Sequence, residues 1–352
     1  MTLLQRLRLD APIIQAPMAG GTTTTALVIA VSSAGGLGSF GAAYQTPEDI
    51  RRDVAITRQQ TDRAFGVNLF LDQGRPATRS EIAHAKAALE PERRALGLGP
   101  APEPGPPPSL SDQIAVLMDL APPVFSSTFG APDAELVRDA KARGICVIGT
   151  ATSPEEVAIL SQRGVDAIVL QGSDAGGHRG TFAHAPEQGL YGTLALIALA
   201  RRETAIPLIA AGGLMTRADV AAVLVAGAEL AQCGTAFLLA DEAGTHQTAR
   251  QALQSTRAQR TGLTRAFSGR LARGLENGFM RRFAAEALDV APYPTQNALT
   301  GDLRKAAAVA GDPDRMAIWA GTGARLAVSA PAARIVADLS PVSARHPQQG
   351  NS

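Results

Sequence analysis

Cysteine is nearly missing from this chain: there are two in 352 residues, Cys146 and Cys233, each within an apolar run. So thin a supply excludes a disulfide framework, and both thiols read as small buried hydrophobes of a reduced, intracellular protein. An excess of one charge is missing too. Thirty-three Lys and Arg against 32 Asp and Glu give a formal net charge of +1, which leaves no electrostatic footprint for a nucleic acid. No apolar run approaches the roughly 18–20 residues that cross a bilayer. The opening MTLLQRLRLDAPIIQAPMAG has no long apolar stretch after its basic residues, which argues against a signal peptide. The expectation is a soluble cytoplasmic protein with no membrane partner. A His/Cys cluster at zinc spacing and a Walker loop are also missing, so no metal is expected. Ser33-Ala34-Gly35-Gly36-Leu37-Gly38 lies before a strand instead of after one, which argues against a Rossmann dinucleotide site.

What the chain does have is a regular alternation of short β-rich runs and helix-patterned segments. The strand expectations are Pro12–Pro17, Leu37–Ala42, Phe65–Phe70, Pro123–Thr128, Ile145–Thr150, Ala167–Leu170, Pro207–Gly213 and Leu230–Phe237. Between them, Thr46-Pro47-Glu48-Asp49 and Ser153-Pro154-Glu155-Glu156 open helices with a hydroxyl cap, Pro in the first turn and acids at the positive end. Eight such units with apolar, parallel-sheet strands predict a closed (β/α)8 TIM barrel.

Two stretches break the rhythm. Residues 71–111 carry a charged Ala-rich helix (Glu81–Leu96) and the Pro/Gly-rich run GLGPAPEPGPPPSL, expected as an insertion over the barrel mouth. From about Thr245 the chain reads as helical and basic. The expected organisation is a barrel domain over 1–244, a helical substrate-covering region over 245–335 and a polar tail over 336–352.

The stretch Ala167–Thr181 organises the candidate chemistry. A buried strand ends at Gln171-Gly172, and the turn Ser173-Asp174-Ala175-Gly176-Gly177 delivers His178 on a loop at the end of the barrel where chemistry is placed. A lone histidine after Gly-Gly is as often a plain surface residue. Strands seven and eight end in Gly212-Gly213 and Gln232-Cys233-Gly234-Thr235, the position where barrels commonly bind phosphate through backbone N–H groups. Asn68 and Gln171 offer amides to the same face, suited to ribityl hydroxyls or a flavin edge, or else satisfied as structural amides. Arg179, Ser268, Arg270, Tyr293 and Lys305 are further candidates for the mouth.

Together these residues carry a resemblance. Gln15-Ala16-Pro17-Met18-Ala19-Gly20, Gly66-Val67-Asn68, Gln171 through Gly180, Ala211-Gly212-Gly213 and Gln232-Cys233-Gly234-Thr235 resemble the FMN-dependent nitronate monooxygenases, formerly called 2-nitropropane dioxygenases. Pro292-Tyr293-Pro294 with Asn297, and Trp319-Ala320-Gly321, extend the likeness over nearly the whole chain. The resemblance implies FMN held by Asn68, Gln171, Gly176, Gly213, Gln232, Cys233, Gly234 and Thr235, with Met18 near the isoalloxazine ring. It implies His178 as catalytic base, or as the group that holds an anionic substrate. The reaction implied takes a nitronate or nitroalkane and O2 to a carbonyl compound and nitrite. Other readings are an FMN-dependent NAD(P)H reductase of a quinone or enoyl thioester, and a flavin-binding protein without catalysis. A homo-oligomer is compatible with all three.

Overall fold

The computed structural model describes residues 1–341. Its strands are β1 (Ile13–Gln15), β2 (Gly38–Gly41), β3 (Phe65–Phe70), β4 (Val124–Thr128), β5 (Cys146–Ala151), β6 (Ala167–Gln171), β7 (Gly177–His178), β8 (Leu208–Ala211), β9 (Leu230–Cys233), β10 (Thr261–Thr264) and β11 (Ala272–Leu275). Eight of them form one sheet in the order β1-β9-β8-β6-β5-β4-β3-β2, and every pairing is parallel. Leu37 N donates to Ile13 O and Gln15 N to Leu37 O, each at 2.9 Å, and these bonds join the two ends of the sheet. The fold is the expected (β/α)8 TIM barrel.

Period-2 alternation divides each strand between two cores. Outward residues, among them Ile13, Val67, Phe125, Ile168 and Cys233, pack with the surrounding helices. Inward residues at the N-terminal end (Ile14, Val124, Ile148, Val169, Ile209 and Leu230) meet Leu3, Leu7 and Leu9 of the N-terminal segment, which plugs the barrel floor. The helices begin where short hydroxyl side chains accept backbone N–H groups: Thr24, Thr46, Thr78, Ser109, Ser153 and Thr216 all do so. Each such cap contributes about 1 kcal/mol.

Three boundaries differ from expectation. The helix Ala332–Leu339 crosses the break expected at 335/336 and docks on the helices Thr25–Ser33 and Arg217–Val225. Its buried residues, Ala332, Ile335, Val336 and Leu339, fall at i, i+3, i+4 and i+7, one helical stripe. It is the eighth helix of the barrel wall, so residues 245–331 are inserted before it; of the expected tail, 342–352 lie outside the described residues. Second, the region expected to be helical contains β10 and β11, which form an antiparallel sheet with β7 in the order β10-β11-β7. These strands are four residues each, too short for alternation to stand out against their arginines and glycines. Third, the stretch 71–111 divides between two neighbours. Its helix Arg79–Ala95 packs Ala85, Ala88 and Leu89 against Phe267, Phe279, Phe283, Leu299 and Leu303. The helix Leu110–Leu120, which starts inside that stretch, instead lies against the barrel helix Pro47–Gln60. A two-pronged Arg93–Asp302 pair, both contacts 2.8 Å, ties the inserted helix to the later region.

Candidate active site at the barrel mouth

The row Gln171–Ala211–Gln232 is set by register: Gln171 lies beside Ala211, and Ala211 beside Gln232. Residues in one row share a face, and this row faces the barrel lumen above the apolar floor. Asn68 joins the same layer, donating to Ser126 Oγ at 3.0 Å and Thr128 Oγ1 at 3.3 Å. Gln171 donates to the carbonyl of His178 at 3.0 Å and accepts from Gly180 N at 2.8 Å, so it fixes the chain on both sides of Arg179. The side chain of Gln232 makes no hydrogen bond to another described residue. Cys233, one residue on, faces the opposite way: its sulfur is sealed among the wall helices, and burial pushes the thiol up to about 12. Only its backbone is available to a ligand.

The turns after β8 and β9 open beside this row. Gly212 (φ +117°) and Gly213 (φ +73°) adopt backbone that L side chains rarely take. Gly234 and Thr235 begin a short 3-10 turn whose first internal bond runs from Phe237 N, leaving the N–H groups ahead of it directed outward. Thr235 Oγ1 accepts from Gly321 N at 2.9 Å. Gly176 packs so tightly on Ala320 that an added Cβ would lie 2.5 Å from its carbonyl carbon. Met18 is half-buried between the wall core and the cluster around Leu238 and Ile318, with its N–H on Thr23 Oγ1 at 3.0 Å.

His178 sits on β7, a strand and not the expected loop, paired with Ala272. Alternation sends its neighbour Arg179 the other way, fully buried, donating to the carbonyls of Gly172 (2.6 Å) and Gln171 (2.8 Å). Arg179 therefore holds the turn from beneath. Glu156 helps: its two carboxylate oxygens accept from Thr152 N and Ala183 N, among others, at 2.6 and 3.0 Å. The His178 ring lies 6.0 Å from Phe129, 6.0 Å from Tyr293 and 5.5 Å from Trp319, and its Nε2 is 2.8 Å from Ser268 Oγ. Burial, followed by the charges of Arg270 and Arg304, pushes its pKa from the ordinary 6.5 down to about 3. The imidazole is neutral at pH 7.

Cations surround it. Arg270 stacks over Phe129 at 3.7 Å and reaches Asp72 Oδ2 at 3.3 Å. Arg304 donates to Asn297 O at 2.9 Å, Asn297 Oδ1 at 3.0 Å and Thr300 O at 3.2 Å, all neutral acceptors. No described carboxylate pairs with it, and burial lowers the pKa of both arginines. Tyr293 Oη donates to Tyr44 Oη at 3.4 Å, and burial raises the pKa of both phenols. Of the further sequence candidates, Ser268, Arg270 and Tyr293 come together here. Arg179 does not face the mouth, and Lys305 is exposed while its neighbour Arg304 turns inward. Phe129 was missed as well. It is an aromatic residue at φ +66°, uncommon for any side chain and worth reading as a site feature.

Comparison with known proteins follows the same outline. A family model described as nitronate monooxygenase matches residues 2–341. A Staphylococcus aureus (strain Newman) protein named "Probable nitronate monooxygenase" is 40% identical over 339 residues, covering 96% of this chain and 95% of its own. Among solved structures, nitroalkane oxidase from Streptomyces ansochromogenes is similar with TM-score 0.89 and 40% identity over 96% of each chain. FabK from Thermotoga maritima is similar at TM-score 0.74 and 27% identity, over 96% of this chain and 94% of its own.

Proposed function

The chain belongs to the nitronate monooxygenase family and is a flavin oxidoreductase of nitronates, and from that premise we propose that its cofactor is FMN, bound across the barrel mouth, with His178 as the base. The donor set fits such a group. Asn68, Gln171 and Gln232 line one layer of the lumen, and the Gln232 side chain is uncommitted. The Gly213 turn and the backbone of Cys233, Gly234 and Thr235 would receive the phosphate, with the tight approach of Gly176 to Ala320 closing one side and Met18 the other. FMN supplies the electron transfer to dioxygen when bound.

The chain's own contribution is to bind and orient an anion at the barrel mouth. The observation that carries the reading is an imidazole whose Nδ1 has no partner among the described residues, set among Phe129, Tyr293 and Trp319 with Arg270 and Arg304 nearby. A neutral imidazole can accept a proton from the carbon next to a nitro group. The same neutrality removes His178 as a cationic holder of a preformed nitronate, and that role passes to the two arginines. Phe129, Tyr293 and Trp319 pack around the ring. The inserted helix Arg79–Ala95 and residues 245–331 form the cover over the substrate. The product would be a carbonyl compound and nitrite, from substrates such as propionate 3-nitronate.

Purified protein should be yellow, consume O2 and release nitrite with propionate 3-nitronate, and resist rapid bleaching by NADH. Rapid anaerobic bleaching by NADH without nitrite release would move the protein to the reductase reading. A colourless protein unable to take up FMN would sink both.

A further inference from the structure

We infer that Ser268 is a positioning residue that holds His178 in the tautomer protonated at Nε2, leaving Nδ1 as the atom that takes the substrate proton. The inference rests on the role proposed for His178 and goes a step further, to which nitrogen works and what decides it.

The argument is a count of hydrogens. Ser268 Oγ has one hydrogen and three polar neighbours: His178 Nε2 at 2.8 Å, the carbonyl of Arg270 at 3.1 Å and Arg270 N at 3.3 Å. A carbonyl has nothing to donate, so the 3.1 Å contact is a hydrogen bond only when the hydroxyl points its hydrogen there. The Arg270 N–H already donates to the oxygen. The contact at 2.8 Å then has a hydrogen only if Nε2 supplies it, and His178 carries its proton there. The opposite tautomer would leave the Arg270 carbonyl without the hydroxyl and place an N–H at Nδ1, where no described residue accepts it. That tautomer forfeits the hydrogen bond at the Arg270 carbonyl, worth about 0.5–1.5 kcal/mol.

The arrangement is rigid on both sides. Ser268 is fully buried, in a turn closed by bonds from Ser268 N and Gly269 N to the Arg265 carbonyl at 3.2 and 2.7 Å. Gly269 (φ +83°) lies so close to residues 291–293 that an added Cβ would meet Ala291 O at 2.3 Å. His178 is held by its pairing with Ala272, and Arg179 N donates to Leu271 O at 2.8 Å. Serine and histidine are thus brought together by the small sheet, 90 residues apart in sequence.

In the reaction the C–H bond next to the nitro group breaks and an N–H bond forms at Nδ1. The C–H electron pair becomes part of the C=N bond, and the negative charge moves to the nitro oxygens. The imidazolium then carries hydrogens on both nitrogens, and its Nε2–H keeps its acceptor in Ser268 Oγ throughout. A preformed nitronate skips this step, and that difference separates a positioning role from a merely structural one.

The test uses the full-length holoenzyme and its Ser268→Ala and Ser268→Thr variants. Nitrogen-15 NMR of the histidine ring should show a pyridine-like Nδ1 and a pyrrole-like Nε2 in wild type and in S268T, and a loss of that preference in S268A. With nitroethane, kcat/KM should fall about tenfold or more in S268A and recover in S268T, within the range a mispositioned base costs. With preformed ethyl nitronate it should change less than about threefold, as expected where no proton abstraction occurs. A protonated Nδ1 in wild type overturns the inference, as does an equal loss on both substrates. If wild type oxidises neither substrate, the nitronate reading fails, while the NMR result still decides the tautomer.

Discussion

The two ends of the barrel lumen share eight strands and little else. At the floor, Leu3, Leu7 and Leu9 interlock with Ile14, Val124, Ile148, Val169, Ile209 and Leu230. At the mouth, within a few residues along the same strands, the lining turns to Asn68, Ser126, Gln171 and Gln232, with His178, Arg270 and Arg304 above. The floor gains free energy from apolar burial, about 25 cal/mol per Å2. The mouth gives some of it up, since Arg304 is a half-buried cation paired only with neutral oxygens. Stability and chemistry are assigned to opposite ends of one tube, as in barrels generally.

Substitutions at the two ends should therefore fail in opposite ways. The largest effect is expected from His178→Asn: kcat/KM for a nitroalkane should fall by about 10²–10⁴, with the melting temperature barely moved. Steady-state oxygen uptake checks it, and a loss no larger than that seen on the preformed nitronate would remove the base role. At the floor, Ile209→Ala should cost about 2–5 kcal/mol in denaturant unfolding while each folded molecule keeps its kcat. Arg304→Met should combine the two signs. KM for nitronates should rise about tenfold, the loss of one charged hydrogen bond, and the protein should melt at an equal or higher temperature because a partly desolvated charge without a carboxylate partner is gone. A fall in both quantities would show that Arg304 is structural.

The smallest effect is the pH dependence. The folded pKa of His178, about 3, lies below the ordinary 6.5, so the unfolded chain takes up this proton first. The contribution is whole above pH 6.5 and is lost as the pH falls toward 3. His178→Asn should flatten that part of the stability profile. For the same reason kcat/KM on a nitroalkane should show no imidazole inflection between pH 6 and 7; an inflection there would mean that the ring is more open to water than its surroundings indicate.

The barrel was easy to read from sequence because its strands are short β-branched runs bounded by turns; Phe65–Phe70 begins and ends where composition puts it. The amides and glycines at the strand ends were legible for the same reason, since alternation and turn chemistry are local. What the sequence concealed depends on tertiary direction. Cys233 and Gln232 are adjacent yet face different cores. Arg304 and Lys305 are adjacent on the helix Gly301–Val309, and nothing in that polar segment says which one turns inward. Phe129 looks like any core aromatic until its backbone is seen at φ +66°. In the sheet that carries His178, the two-residue β7 pairs with the four-residue β11 across about 90 positions, a separation no local pattern reports.

The last helix of the wall has a bearing on biosynthesis. Val28 and Val31 of the helix Thr25–Ser33 and Val220 and Val223 of the helix Arg217–Val225 belong to the core that Ile335, Val336 and Leu339 complete. A nascent chain displays those valines to solvent or to a chaperone until residue 339 has left the ribosome tunnel. Every residue of the mouth is translated before the barrel can close, so the order of synthesis makes cofactor capture a late, whole-chain event instead of a property of the growing half-barrel.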